Sequence, residues 1–251
     1  MPVLATLGEK LATIVLAKAG SLVPGGGLWL HTQRPEWNDA NNALVGNGLS
    51  VVTLAHLRRF LAFISALPGA DRAFELSAAT LIALRGFAEL VRSTPASAAD
   101  DPVARRTFVD RAGALLDAWR TEAYRGAAGR TLTQAPPGLL TRLARDLLPL
   151  VDATLQRNRR DDGLFHSYNL VDFSKPGRGG VSALYPMLEG QVALLSCGVL
   201  SLTESVRLLD AFGAGGGPAR VVDHRRGRLV RIPRIRLDAV ERSVESEQHA
   251  V

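Results

Sequence analysis

The densest chemistry of the chain lies in His31-Thr32-Gln33-Arg34-Pro35-Glu36-Trp37-Asn38-Asp39-Ala40-Asn41-Asn42, between a glycine-rich turn and the most apolar run of the sequence. Carboxylates at Glu36 and Asp39, the guanidinium of Arg34, the amides of Gln33, Asn38, Asn41 and Asn42, and the indoles of Trp29 and Trp37 fall close together there. That mixture suits a polyhydroxylated ring, whose apolar face packs on an indole while planar amides and carboxylates bond its hydroxyls. Cleaving a glycosidic bond also requires an acid to protonate the leaving oxygen. Loops held on a rigid scaffold are where such groups concentrate. A plainer reading uses the same residues: Asp39, Asn42 or Asn47 caps the helix expected near Gly48, and Arg34 pairs with Glu36.

A second stretch is Asp161-Asp162-Gly163-Leu164-Phe165-His166-Ser167-Tyr168-Asn169. His166, Tyr168 and Asn169 are candidate partners of sugar hydroxyls, and Asp161 or Asp162 is a candidate base. Alternatively Asp-Asp-Gly is a turn, and Phe165 and Tyr168 anchor a loop on the core. The stretch is calcium-like in composition but lacks the ligand spacing of a hand-type loop, so no metal is expected. In the third stretch, Tyr185-Pro186-Met187-Leu188-Glu189-Gly190-Gln191, Glu189 is a candidate base or hydroxyl ligand. Stabilisation at a helix start would by itself account for an acid there. Cys197 falls on an apolar helix face and is expected to be packed rather than nucleophilic.

Seven helices are expected to position these groups. Leu4 to Val23 has apolar residues at helical spacing and is stopped by Pro24-Gly25-Gly26-Gly27. Gly48 to Leu67 is apolar nearly all round and calls for burial on several faces. Asp71 to Arg92, Val103 to Arg125 and Leu139 to Gln156 follow, the last with a kink expected at Pro149. Pro186 suits the first turn of a helix reaching Cys197, and Ser201-Leu202-Thr203-Glu204 reads as a capping box opening a helix through Ala211. Between Arg157 and Tyr185 the helical period is lost. A long ordered loop is expected there, with one short strand from Leu164 to Val171.

The fold class read from this pattern is all-α, a helical-hairpin domain over residues 1–212. Residues 213–251 then form a basic Gly/Arg-rich tail, flexible or foreign to the ancestral fold. The chain has 251 residues, 47% of them apolar, enough for a real core. Its net charge of +6 is concentrated after Phe212, where Arg220, Arg225, Arg226, Arg228, Arg231, Arg234 and Arg236 crowd together without interleaved aromatics. A nucleic-acid partner is therefore not expected. The single cysteine, Cys197, excludes an internal disulfide. No apolar run has the roughly 18–20 residues needed to span a bilayer, and Glu9, Lys10 and Lys18 interrupt the N-terminal run as a signal. No membrane partner is expected, and the cytoplasm is the expected location.

Trp37-Asn38-Asp39, followed by Asn42, Gly46, Gly48, Ser50 and Val51, resembles the Trp-Asn-Asp segment of inverting glycoside phosphorylases. These are the cellobiose and chitobiose type, together with the phosphorylase-like part of cyclic glucan synthases. The resemblance implies that Asp39 is the general acid and that Trp37 lines the sugar site. Arg34, Glu36, Asn38 and Asn42 then join His166, Tyr168 and Asn169 as substrate ligands, with Asp39 and Glu189 as catalytic residues. It also implies helical hairpins of an (α/α)6-type toroid. Such a barrel has twelve helices in the family, so seven make the chain an incomplete barrel, a fragment. Glu36 stands where the family usually has Asp, and no His with Ser or Thr suited to phosphate follows. Hydrolysis, phosphorolysis and transfer all stay open. The expected partners are an oligosaccharide or glycoside, with inorganic phosphate in the phosphorolytic case. Self-association is expected through apolar helix faces left uncovered, and no cofactor is expected. The alternative is a non-catalytic helical scaffold or interaction domain whose loop acids cap helices.

Overall fold

The computed structural model describes residues 5–31, 44–69, 71–125, 132–214, 220–223 and 228–231. The chain divides into two compact units, Met1–Ser201 and Leu202–Val251. The first contains helices α1 (Leu7–Ala19), α2 (Val51–Ala66), α3 (Ala78–Arg92), α4 (Pro102–Arg125), α5 (Leu139–Arg157) and α6 (Leu188–Ser196). Interleaved with them are strands β1 (Leu22–Val23), β2 (Gly27–Trp29), β3 (Gly48–Ser50), β4 (Glu75–Ser77), β5 (Leu132–Gln134), β6 (Tyr168–Asp172) and β7 (Gly180–Ala183). In the second unit, α7 (Leu202–Ala214) is followed by a hairpin of β8 (Arg220–Asp223) and β9 (Arg228–Arg231). The unit boundary thus falls at Ser201, before the glycine-rich break at Gly213 that composition suggested.

The all-α expectation, and with it a toroid built only of helical hairpins, is wrong. Five strands form one antiparallel sheet in the order β1-β2-β3-β6-β7, and β4 pairs with β5 in a second. The reason is length. Strands of two to five residues are too short to display an alternation against long Leu/Ala periods. The glycine run that appears only to stop a helix is the turn between β1 and β2, with Leu22 opposite Leu28 and Val23 opposite Gly27. Gly48-Leu49-Ser50, expected as helix, is β3. It joins β2 through Trp29 opposite Leu49 and β6 through Leu49 opposite Asn169. The strand expected between Leu164 and Val171 exists as β6, beginning at Tyr168.

The helices follow their apolar periods. On α5, Leu140, Leu143, Ala144, Leu147, Leu150, Val151 and Leu155 are buried, and Pro149 lies on the exposed side of the continuous helix. α2 buries Leu54, Leu57, Leu61 and Ile64 and packs against α5, α6 and α1. Ser50 is both the last residue of β3 and the N-cap of α2, its hydroxyl accepting from the Thr53 amide at 2.9 Å. α3 begins later than the sequence suggests, at Ala78. Its cap Ser77 accepts from the Thr80 amide, and the three preceding residues are held in the ribbon with β5.

A hydrogen-bonded clasp fixes the Pro24–Gly27 turn. The guanidinium of Arg105, on α4, donates to the carbonyls of Pro24, Gly179 (2.6 Å) and Ala99 (2.7 Å). Thr154 accepts from the Gly25 amide at 3.0 Å. The Asn158 amide donates to the Gly25 carbonyl, and Asn169 donates both to Gly26 (2.6 Å) and to Asn158 (2.7 Å). All four side chains are buried, so each bond forms where leaving it unmade would be costly. The clasp sets the start of β2, and β2 carries Trp29 to the mouth of the His31 segment.

Candidate functional site

Arg34, Glu36, Trp37, Asn38, Asp39 and Asn42 lie outside the described residues. Both ends of their segment are described, because it connects β2 to β3. Its stem is tied by Leu30, whose amide donates to the Gly48 carbonyl at 3.0 Å, and by the Trp29 indole, which donates to the Gly46 carbonyl at 2.7 Å. Leu30, just before the segment, and Leu44, just after it, pack with Tyr168, Leu170, Leu184 and Met187. Tyr168 belongs to the second chemistry-bearing stretch and Met187 to the third. The two flanks of the first stretch and one residue from each of the other two therefore share one apolar cluster.

The described candidates differ in what they leave accessible. Tyr168 is almost fully buried in that cluster. Asn169 lies on the opposite face of the sheet, with its amide NH2 engaged by Gly26 and Asn158. His166 is half-buried. Burial first, and then the charge of Arg160, lowers its pKa from 6.5, with the Leu184 backbone opposing them. Its Nδ1 is buried without a hydrogen-bond partner. Glu189 is exposed in the first turn of α6. Its neighbours do structural work: Ser167 donates to the Met187 carbonyl and accepts from the Gly190 amide, both at 3.0 Å. Gln191 pairs with both backbone groups of Phe165.

Asp161-Asp162-Gly163 forms a turn. The Gly163 amide donates to the Arg160 carbonyl, Gly163 has φ +82°, and the Asp162 carboxylate bonds the Arg160 guanidinium at 2.7 Å. That bond is the main cause of a lowered Asp162 pKa, which makes Asp162 a weak base. The Cys197 thiol is buried, donates to Leu194, and has its pKa raised chiefly by burial. It is packed and not activated. Among the described residues, no three His, Cys, Asp or Glu side chains are grouped to hold a metal ion. No helix among them is long and apolar enough to cross a membrane.

One feature escaped the sequence. An open cleft of about 270 Å³ lies between the β1–β2 hairpin and α4, with Ser21, Trp29, His31, Val109, Gly113 and Arg120 among its lining residues. Trp29 and His31 stack with ring centroids 4.6 Å apart, as i and i+2 positions that leave a strand on one side. His31 has φ +50°. Partial burial first, and then Arg120, lowers its pKa from 6.5, so the imidazole is neutral near pH 7. The available signal was the Trp29-x-His31 spacing together with Gly113-Ala114, two small residues in the middle of a long helix. No family model matches the chain, and no curated protein matches it.

Proposed function

We propose that the chain is the acid-bearing part of a carbohydrate-active enzyme that cleaves or transfers glycosidic bonds with inversion. The observation that carries this reading is the cluster in which Leu30 and Leu44 meet Tyr168 and Met187. It supports the reading because the described flanks of the Trp37-Asn38-Asp39 segment, Leu30 and Leu44, meet residues of the His166 stretch and of the segment leading into α6. In this reading the Asp39 carboxyl gives its proton to the leaving glycosidic oxygen. Glu189 takes the proton of an attacking water or sugar hydroxyl on the opposite face of the ring, whereas phosphate attacks as the anion and needs no base. Trp37 packs on the sugar, and Arg34, Glu36, Asn38 and Asn42 bond its hydroxyls. The reading takes the cytoplasm as the compartment, in keeping with a single cysteine. Exposed Leu7 and Ile82 on α1 and α3, and Leu188 and Val192 on α6, support self-association as part of it.

A second reading, a non-catalytic interaction domain, has its own support: Tyr168 and Asn169 are buried and Asp162 is committed to a turn. Incubation with a panel of disaccharides, with and without phosphate, separates the two. The glycosidic reading expects product with inversion and a fall of about 10²–10⁴-fold in Asp39→Asn. The loss should be smaller for substrates with activated leaving groups. The second expects no product, tolerance of Asn at position 39, and a stability loss of about 0.5–2 kcal/mol in Asp39→Ala. Full turnover of a natural disaccharide by Asp39→Asn would sink the assignment.

A further inference from the structure

The cleft between the β1–β2 hairpin and α4 has a charge pattern that selects among ligands. Asp110, the acid at its edge, is already neutralised: both carboxylate oxygens accept from the Arg106 Nε, at 2.8 and 2.9 Å. Arg106 in turn sits over the Phe173 ring, 4.8 Å from its centroid. Arg120 also lines the cleft, and among the described residues it forms no ion pair. The remaining walls are mostly apolar or aromatic, from Leu22, Val23, Trp29, Val109 and Leu116, with Ser21 and His31 beside them. Gly113 adds room, because a Cβ built there meets nothing within 4 Å. An aromatic wall beside one uncompensated guanidinium is the chemistry of a ring ligand bearing one anion. With about 270 Å³, the cleft lies at the small end of ligand sites, about 300–1,000 Å³. It holds one ring and not a chain of them.

We propose that this cleft binds a single sugar ring carrying one anionic group, a carboxylate or a phosphate, with the anion on Arg120 and the ring beside Trp29. The choice of a sugar rests on the glycosidic reading above; the anion and the single ring rest on the cleft. Nothing in the sequence singled out Arg120, because it shares the cleft with Trp29 only through the fold.

Isothermal titration of the full chain with glucuronate, glucose 6-phosphate, glucose and inorganic phosphate tests the proposal. At least one of the two anionic sugars should bind about tenfold or more tightly than glucose, as one charge-assisted hydrogen bond allows. The two together distinguish carboxylate from phosphate. Arg120→Gln, an exposed position, should abolish that preference. Gly113→Leu should weaken binding of every sugar by filling the cleft, and as a helix-interior replacement of glycine it favours folding. Equal binding of glucose and the anionic sugars, no binding by any of them, phosphate binding as tightly as the sugar phosphate, or affinity unchanged in Gly113→Leu would each overturn it. The readout is equilibrium binding, so absence of turnover on disaccharides would defeat the glycosidic reading and leave this result standing, and the reverse also holds.

Discussion

Gly25 and Gly46 both have φ +75°, a left-handed conformation that costs an L side chain about 1–2 kcal/mol. Their surroundings differ. A Cβ on Gly46 would meet nothing within 4 Å, whereas one on Gly25 would lie 2.0 Å from the Ala99 carbonyl oxygen and 2.8 Å from the Arg105 guanidinium. Gly46→Ala should therefore lose only the conformational term, about 1–2 kcal/mol. Gly25→Ala should lose about 2–5 kcal/mol, because the clasp has to move as well. Urea denaturation of both variants checks this, and equal losses would show that the clasp around Gly25 yields freely. The same clasp explains why Asn169, a reasonable sugar ligand by type, is occupied. A buried amide bonded to a glycine carbonyl and to another amide is part of the frame.

At the scale of elements, the junction of β3 and α2 concentrates two tasks in one residue. Ser50 pairs across the sheet with Leu28 and Tyr168, and its hydroxyl caps α2 from a fully buried position. Ser50→Ala keeps the strand pairing, which is a backbone matter, and strips the cap. A loss of about 1–2 kcal/mol is expected, read as a lower urea midpoint with native far-UV dichroism retained. An unchanged midpoint would show that the Thr53 amide finds another acceptor. Helices were legible because their periods run long: α4 and α5 begin and end within a residue of the ranges read from sequence. The sheet was not legible, since β3 is continuous with an apolar helix and β4 is absorbed into the run ahead of α3. Of the candidate site, the residues from Arg34 to Asn42 lie outside the described residues, while Tyr168 and Asn169 are buried and Asp162 is held in a turn, uses that residue type alone does not reveal. The cleft was not legible, because Gly113-Ala114 is a weak signal and Arg120 an ordinary helix residue until the fold brings them beside Trp29.

For the whole molecule, residues Met1–Ser201 form one compact unit that includes every strand of the five-stranded and β4–β5 sheets. Removing residues 213–251 should accordingly leave the thermal midpoint of that unit and its helicity nearly unchanged, measured by far-UV dichroism. A drop of several degrees would show that the basic segment contributes to its stability. Within the unit, the architecture closes over long stretches of chain. β3 pairs with β6, Gly48 lying opposite Leu170. The clasp bonds from Thr154 and Asn169 to the Gly25–Gly26 turn span 129 and 143 residues. On a ribosome adding about 5–20 residues per second, the β1–β3 strands wait on the order of ten seconds before β6 exists. During that interval the edge of β3 that pairs with β6 has no native partner, and loop closure must later be achieved over more than a hundred residues. The sheet whose first strands are synthesised early is thus completed late, and until then the edge of β3 is left open to non-native pairing.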